Sequence, residues 1–221
     1  TDYEAQPLSS LEPLGRDYYA GPRTVPLDDG SGGVTVLDMH AKQTRLVIGT
    51  ETPIEGGGKV KTHVELDFHN GAEGNESISN SYQPRLRQAF LTYGNWLFGQ
   101  TWSTFQNVGA LPETLDFIGP AESTIFIRQP MIRYTSGAFQ FALENPESRI
   151  SGDGTTDENQ LPDIALRWNA GPVVVAGVIR SIESQDPAGV DDSAFGGGIS
   201  VWGEFMIGKD DLKFMVTSGA G

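Results

Sequence analysis

The sequence predicts an all-β fold, and three observations lead to that prediction. Glycine accounts for 28 of the 221 residues, against ~7% in ordinary proteins, and it favours turns while weakening helix interiors. Aromatic residues, which suit strands, make up 10% of the chain. No apolar stripe at helical spacing continues beyond two turns, whereas segments with an apolar residue at every second position recur throughout.

The clearest predicted strand spans residues 59–69. From Val60 to Phe68 its even-numbered residues are apolar or Thr. From Lys59 to His69 its odd-numbered residues are either charged or His. Because successive side chains of a strand point to opposite faces, this strand has one apolar and one strongly polar face. Marking every such run predicts about ten strands, at residues 34–49, 59–69, 85–93, 96–102, 125–135, 139–144, 163–169, 173–181, 195–207 and 211–218.

The connections between these strands alternate between short and long. The short ones are 50–58, 94–95, 136–138, 170–172 and 208–210, and the long ones are 70–84, 103–124, 145–162 and 182–194. Transmembrane β-barrels have short turns at one end and long loops at the other, whereas soluble sandwiches mix the two. Aromatic residues near the short turns fit an interfacial girdle: Tyr93, Trp96, Tyr134, Phe139, Trp168 and Phe214. The sequence therefore predicts a transmembrane antiparallel β-barrel.

Composition excludes several other classes. The chain has no Cys, which rules out disulfides, thiol catalysis and Cys-ligated metal sites. Its net charge of −14, without any basic run, argues against binding nucleic acid. No stretch approaches the ~20 consecutive apolar residues of a membrane-spanning helix, which excludes an inner-membrane protein. Much of the negative charge lies in the predicted long loops and says little about the surface that the strands enclose.

Residues that could bind a metal or catalyse a reaction are poorly placed. His63 and His69 are six residues apart on one strand, and the segment 153–159 has oxygen ligands without EF-hand spacing. We therefore expect no metal, no cofactor and no enzymatic activity. A soluble or secreted all-β ligand-binding domain, similar to carbohydrate-binding sandwiches, stays open as the alternative, and nothing positive supports a β-rich hydrolase.

A series of motifs resembles the DcaP-like family of Gram-negative outer-membrane porins. The series consists of HAKQTRL at 40–46, RLRQAF at 85–90, LFGQTWSTF at 97–105, PETLDFIGP at 112–120, FIRQPMIRYT at 126–135 and LENPE at 143–147. The resemblance is strong from about residue 35 to 150 and vaguer beyond it. It implies a homotrimer in outer-membrane lipid, built of sixteen-stranded, water-filled barrels that take up small anionic solutes, dicarboxylates among them.

About ten strands are too few for sixteen, so we expect the single β-barrel domain at 1–221 to be a fragment that lacks the first and the last several strands. Residues 1–33 then form an extracellular loop. Counted from a missing first strand, 103–124 is the third extracellular loop, which in porins folds into the lumen and sets the constriction.

Porins select solutes by pore radius and by the charges that line the narrow zone. On the polar faces of the predicted strands, Arg45, Arg85 and Arg87 lie near mid-height. Arg133 and Arg167 lie lower, and Lys61 is their counterpart on its own strand. We expect these cations to line the pore opposite acidic residues of the constriction loop, namely Glu113, Asp116 and Glu122.

Arg128 requires a further assumption. Strict alternation from Ile132 and Tyr134 puts Arg128 on the lipid face, at a cost of ~2–4 kcal/mol near the midplane. A β-bulge at Pro130 would turn it into the pore, and we predict that bulge. A second interpretation of all these arginines also stays open: they pair with Glu65, Asp67 and loop carboxylates simply to compensate buried charge.

Overall fold

The computed structural model describes residues 41–69, 81–111, 125–146, 156–157, 159–185 and 191–220. As predicted, these residues form an all-β structure, a single antiparallel sheet. Its strands are β1 (Leu46–Pro53), β2 (Lys59–Asp67), β3 (Arg85–Tyr93), β4 (Trp96–Trp102), β5 (Arg128–Ser136), β6 (Phe139–Glu144), β7 (Thr156–Asp157), β8 (Asp163–Ala170), β9 (Val173–Gln185), β10 (Asp191–Ile207) and β11 (Asp210–Ala220).

The strands follow one another in the sheet in chain order. The order is β1-β2-β3-β4-β5-β6-β8-β9-β10-β11, and the two-residue strand β7 pairs separately with β9. The described residues also contain one short 3₁₀ turn, Val108–Ala110. They include no helix that is both long and apolar enough to cross a membrane. A sheet in which each strand pairs with its predecessor needs only hairpin connections, which is what the sequence predicted.

Four of the short connections are two-residue hairpin turns that begin with glycine. Gly94, Gly137, Gly171 and Gly208 have φ between 56° and 69°, and the residues that flank each turn pair directly, as in Tyr93 with Trp96. Left-handed backbone at the first central position is typical of the primed turns that match strand twist, and glycine adopts it without steric cost. Part of the high glycine content is thus accounted for by hairpins.

From β5 to β9 the sheet has one exposed apolar face. Ile132, Leu143, Ile164 and Ile179 lie next to one another in register across four strands, and all four side chains are exposed. The aromatic residues near the short turns share this face: Trp96 contacts Tyr134, and Phe139 stacks on Trp168. A large exposed apolar surface on an ordered sheet is unusual for a protein surrounded by water.

The opposite face, which we call the covered face, carries mostly small or polar residues together with some buried apolar ones. One row across it runs through Arg133, Ala142, Ala165, Val178 and Gly198. Ala142 and Ala165 have no exposed surface. Along each strand the side chains therefore alternate between the exposed apolar face and the covered face. This is the alternation that the sequence predicted for its strands, among them 163–169.

Several boundaries differ from the prediction. Residues 41–45 form a turn, with the Thr44 amide donating to the Ala41 carbonyl, so within the described part of the strand predicted for 34–49 only the residues from Leu46 onwards are strand. Residues 34–40 fall outside the described residues. Strands β9 and β10 remain paired as far as Gln185 and Asp191, which shortens the predicted long connection 182–194 to residues 186–190. The polar residues there had indicated a loop, but backbone pairing between neighbouring strands continues through them.

The contacts divide the chain into two units. Their described parts are 41–48, 64–69 and 81–87 in the first unit, and 49–63, 88–111 and the residues from 125 onwards in the second. The first unit contains a cluster of arginines and carboxylates. The second contains the exposed apolar face, the covered face and the start of the predicted constriction loop.

Candidate functional site

In the first unit, three arginines and two carboxylates form one cluster. Arg85 donates from Nε and Nη2 to the two carboxylate oxygens of Asp67, at 2.8 and 2.7 Å. Arg87 donates from Nη1 to Asp67 at 2.9 Å and from Nε to Glu65 at 2.6 Å. Arg45 lies 3.3 Å from Glu65. These five residues are the arginine–carboxylate cluster, and its two carboxylates belong to the polar face that the sequence predicted for β2.

Burial varies within this cluster. Arg87, Glu65 and Asp67 are buried, whereas the side chains of Arg45 and Arg85 are 42% and 22% exposed. With three guanidinium groups and two carboxylates the cluster keeps one excess positive charge. Since the carboxylates are buried and hydrogen-bonded, the exposed surface of the cluster belongs mainly to Arg45 and Arg85. Both open interpretations of these arginines are therefore compatible: they compensate buried carboxylates, and two of them still present cationic surface.

Lys61 lies in the second unit, at the start of β2. Its Nζ is 3.2 Å from Glu51, which also pairs with Lys59. All three side chains are well exposed, so water screens the attraction and such pairs contribute ~0–1 kcal/mol to stability. This arrangement is looser than the arginine–carboxylate cluster.

The first residues of the predicted constriction loop, 103–111, lie on the covered face, and we call them the loop segment. Glu144, at the end of β6, anchors its start. One Glu144 oxygen accepts from the Ser103 hydroxyl and the other from the Thr104 amide, each at 2.6 Å. Glu144, Ser103 and Thr104 are all buried. Hydrogen bonds to a buried charge are among the stronger polar contacts in proteins.

Further along, the loop segment is held by Arg167 of β8 and by its own Gln106. Arg167 donates from Nη1 to the Gln106 carbonyl at 2.8 Å, and its Nε bonds Asn169 on the same strand. The Gln106 side chain accepts from the Ile127 amide at 2.6 Å. The predicted pore-lining residue Arg167 therefore binds the backbone of the loop segment.

The end of the loop segment packs into apolar surface. Ala110, in the 3₁₀ turn, joins a buried cluster with Val174, Ala176 and Trp202 of β9 and β10, and Phe105 packs against the same cluster. Trp202 has no exposed surface. The apolar residues on this part of the covered face thus receive the loop segment, which explains why they are not polar.

Arg133 and Arg128 lie on opposite faces of β5. Arg133 is on the covered face, where its Nη1 is 3.5 Å from the Trp102 carbonyl. Arg128 is on the same face as Ile132 and stacks over Trp102, with 4.7 Å from its guanidinium carbon to the ring centre.

The predicted bulge at Pro130 is wrong. Each residue from Arg128 to Tyr134 pairs with one residue of β4, so no extra residue resets the alternation. Contact with an aromatic ring lowers the cost of leaving a cation on an apolar face, which the sequence argument had not considered. Arg128 is therefore withdrawn from the set of pore-lining residues.

Sequence reasoning missed two other residues of the covered face. Glu144, the last residue of the predicted strand 139–144, had been given no role, and Arg180 had not been considered. Arg180 forms a salt bridge with Asp163, the first residue of β8. The alternation around the exposed Ile179 was a signal for Arg180, whereas nothing in the sequence linked Glu144 to residues 103 and 104.

The remaining predicted residues, Glu113, Asp116 and Glu122, fall outside the described residues, as does the predicted extracellular loop 1–33. The acidic side of the expected constriction therefore stays a prediction.

Comparison with known proteins gives two matches. The family model described as DcaP outer membrane protein matches residues 12–143. Among solved structures, the outer membrane channel DcaP of Acinetobacter baumannii matches with 28% identity and a TM-score of 0.60, over 81% of this chain and 52% of that chain. The chain thus spans about half the length of that channel. A search of curated proteins finds no match.

Proposed function

Since the chain belongs to the DcaP outer membrane protein family, and so to the outer membrane of a Gram-negative bacterium, we propose that it is part of a porin for passive diffusion of small hydrophilic solutes. The intact protein would prefer anions such as dicarboxylates. As the resemblance implies, it would act as a homotrimer of sixteen-stranded barrels in outer-membrane lipid, without catalysing a reaction.

One observation carries the porin proposal most directly. The loop segment is bound to the covered face, opposite the face on which Ile132, Leu143 and Ile164 are exposed. A channel protein needs this division, since its outer surface meets lipid while its inner surface holds the loop that narrows the pore. The alternative, a soluble all-β ligand-binding domain, would have to leave that apolar face in water.

The preference for anions is supported by the balance of charge on the described strands. The arginine–carboxylate cluster has one excess positive charge, and its exposed members are Arg45 and Arg85. On the covered face from β5 to β9, Arg133, Arg167 and Arg180 outnumber Glu144 and Asp163. A local excess of guanidinium groups attracts carboxylates and can bind them through two parallel hydrogen bonds. The net charge of −14 therefore does not decide the selectivity.

The test is the reversal potential of the intact protein in planar bilayers under a salt gradient. Wild type should form channels that prefer anions, and Arg45→Gln should lower the anion-to-cation permeability ratio. Lys209→Gln, which removes the same charge from the tip of the β10–β11 turn, is the matched control and should have a smaller effect. Absence of channels would refute the porin proposal, whereas channels without anion preference would refute only the selectivity.

A further inference from the structure

The exposed apolar face carries a cation at the end of the sheet where the long connections lie. Within the described strands β4, β5, β6 and β8, Arg128 is the only charged residue on that face. We infer that Arg128, Trp102 and Phe126 form a binding site for the phosphate of a lipid headgroup in the outer leaflet of the membrane. The inference rests on the membrane-spanning sheet of the proposed porin and goes beyond its channel function, because the site faces lipid instead of the pore.

The position of Arg128 along β5 matches the boundary between hydrocarbon and headgroups. β5 has 9 residues, of which Arg128 is the first and Ser136, beside the hairpin turn at Gly137, is the last. About 9–11 residues of a tilted strand cross a membrane. Bacterial barrels have their short turns on the periplasmic side and their long loops outside. Arg128 therefore lies near the outer surface of the membrane, at the level of the headgroup phosphates.

Tryptophan marks both membrane boundaries on the neighbouring strand β4. Its first residue, Trp96, and its last, Trp102, share the apolar face. Trp96 contacts Tyr134 near the short turns, whereas Trp102 contacts Phe126 near Arg128. Tryptophan is enriched at both interfaces of membrane proteins, because its ring is apolar and its N–H is polar. The two pairs of rings thus mark the two edges of the apolar band, and Arg128 lies at the outer edge.

Two aromatic rings restrict the guanidinium group of Arg128. Its central carbon lies 4.7 Å from the centre of the Trp102 ring and 6.0 Å from the centre of the Phe126 ring. The two ring centres are 4.8 Å apart, and all three side chains are half-buried. Stacking engages the flat side of a guanidinium, whereas its N–H donors lie along the edge and match phosphate oxygens in pairs. Because the rings already restrict Arg128, binding a phosphate costs less conformational freedom than it would at an exposed arginine.

The surface next to the site favours a lipid over a free anion. On the side of Arg128 that leads to the short turns, the apolar face continues through Phe98 and Ile132, which pair with each other and are both exposed. Acyl chains attached to a bound phosphate would lie along these side chains and remove apolar surface from water. Inorganic phosphate has no such group, so it would gain only the contact with the guanidinium. A lipid phosphate should therefore bind more tightly.

The experiment is native mass spectrometry of the intact protein in detergent, titrated with diphosphoryl lipid A or with diacylglycerol, which has acyl chains but no phosphate. We expect the first lipid A molecule to bind wild type at concentrations roughly tenfold below those needed for diacylglycerol, the usual effect of a charge-assisted hydrogen bond. Arg128→Gln should weaken lipid A binding by about the same factor, and Trp102→Leu, which removes the stacking surface but no charge, should weaken it several-fold.

Two controls accompany these variants. Lys209→Gln removes the same charge from the tip of the β10–β11 turn, at the opposite end of the sheet, and should leave lipid A binding unchanged. Inorganic phosphate in large excess should not displace lipid A from wild type, because it lacks the acyl chains. Displacement would identify a simple anion site and overturn the role of the lipid.

The remaining outcomes separate this inference from the porin proposal. Equal binding of lipid A and diacylglycerol by wild type would overturn the site, and so would unchanged lipid A binding in Arg128→Gln. The comparison of the two lipids uses wild type alone, so it stays decisive if a variant fails to fold. Channel activity is recorded from the same wild-type preparation. A protein that conducts without preferring lipid A refutes only the lipid site, and one that binds lipid A without conducting refutes only the porin proposal.

Discussion

The arginine–carboxylate cluster and the covered face from β5 to β9 both combine three arginines with two carboxylates, but they use most of them differently. In the cluster, guanidinium groups bind carboxylates of the neighbouring strand, and Asp67 alone receives three hydrogen bonds from Arg85 and Arg87. On the covered face, Arg167 binds a backbone carbonyl and Glu144 binds a hydroxyl and an amide, all in the loop segment. The same residue types compensate strand charge in one place and fix a loop in the other.

This difference separates two properties of a channel. In the proposed channel, the charge excess of the cluster would affect which ions pass, because two of its arginines keep exposed surface. The anchoring on the covered face would affect the width of the passage, because it determines where the loop segment lies. Substitutions in the two regions should therefore have distinct effects on selectivity, conductance and stability.

The largest effect on stability is expected from Arg87→Ala. Arg87 is buried and binds both Glu65 and Asp67, so its loss leaves two buried carboxylates undercompensated. Removing one partner from a buried ion pair costs ~3–5 kcal/mol. In detergent solution, the melting temperature of Arg87→Ala should be markedly lower than that of wild type. Arg45→Ala, at an exposed position, should lower the melting temperature only slightly. A wild-type melting temperature for Arg87→Ala would refute the role given to this cluster.

A large effect on conductance, with a smaller one on stability, is expected from Glu144→Ala. The substitution leaves the Ser103 hydroxyl and the Thr104 amide without their acceptor, but the loop segment can shift so that both groups reach water, which limits the loss of stability. Single-channel recordings should show altered conductance and noisier open-channel current as the loop segment moves. The control is Glu204→Ala, whose carboxylate is half exposed and 3.7 Å from Lys213. If both variants conduct like wild type, the loop is held by other contacts.

Arg167→Lys should have an intermediate effect. Lysine keeps the charge but cannot donate to the Gln106 carbonyl and Asn169 with the fixed geometry of guanidinium. We expect cleavage within the loop segment by an added protease to become several-fold faster, with anion preference retained. Cleavage as slow as in wild type would mean that Arg167 does not restrain the loop.

The smallest effect is expected from Arg128→Ala. Because Arg128 shares its face with the exposed Ile132 and stacks over Trp102, the reversal potential should not change. Loss of the aromatic contact should cost only ~0.5–2 kcal/mol. A clear shift in reversal potential would return Arg128 to the pore and contradict the register of β5.

Much of the fold could be predicted from sequence because it depends on local rules. Alternation along 59–69 and 163–169 identified strands with their polar faces, and the glycines at 94, 137, 171 and 208 marked the hairpins. The same alternation placed Arg85 and Arg87 on one face of β3, whereas Arg45 lies in the turn before β1 rather than on a strand. It failed at Arg128 because we added a bulge that the pairing with β4 does not contain.

The anchoring contacts could not be found in this way. Glu144 binds residues about forty positions away in the chain, and Arg167 binds a backbone carbonyl, which no residue pattern reveals. Both contacts depend on how the loop segment crosses the sheet. These contacts are therefore set by the tertiary structure. The periodicity of a strand gives information only about neighbouring residues along the chain and about residues paired on adjacent strands.

The most direct test of the account is a cross-link between the loop segment and the covered face, made possible by the absence of native cysteine. The Thr104 hydroxyl lies 3.9 Å from the Met131 sulfur on β5. In the intact protein, Thr104→Cys with Met131→Cys should be joined rapidly by a short bifunctional thiol reagent and give a shifted band after denaturing electrophoresis. Thr104→Cys with Ile132→Cys, one residue further on and on the exposed face, should not. Equal yields from both pairs, or none from the first, would contradict the placement of the loop segment.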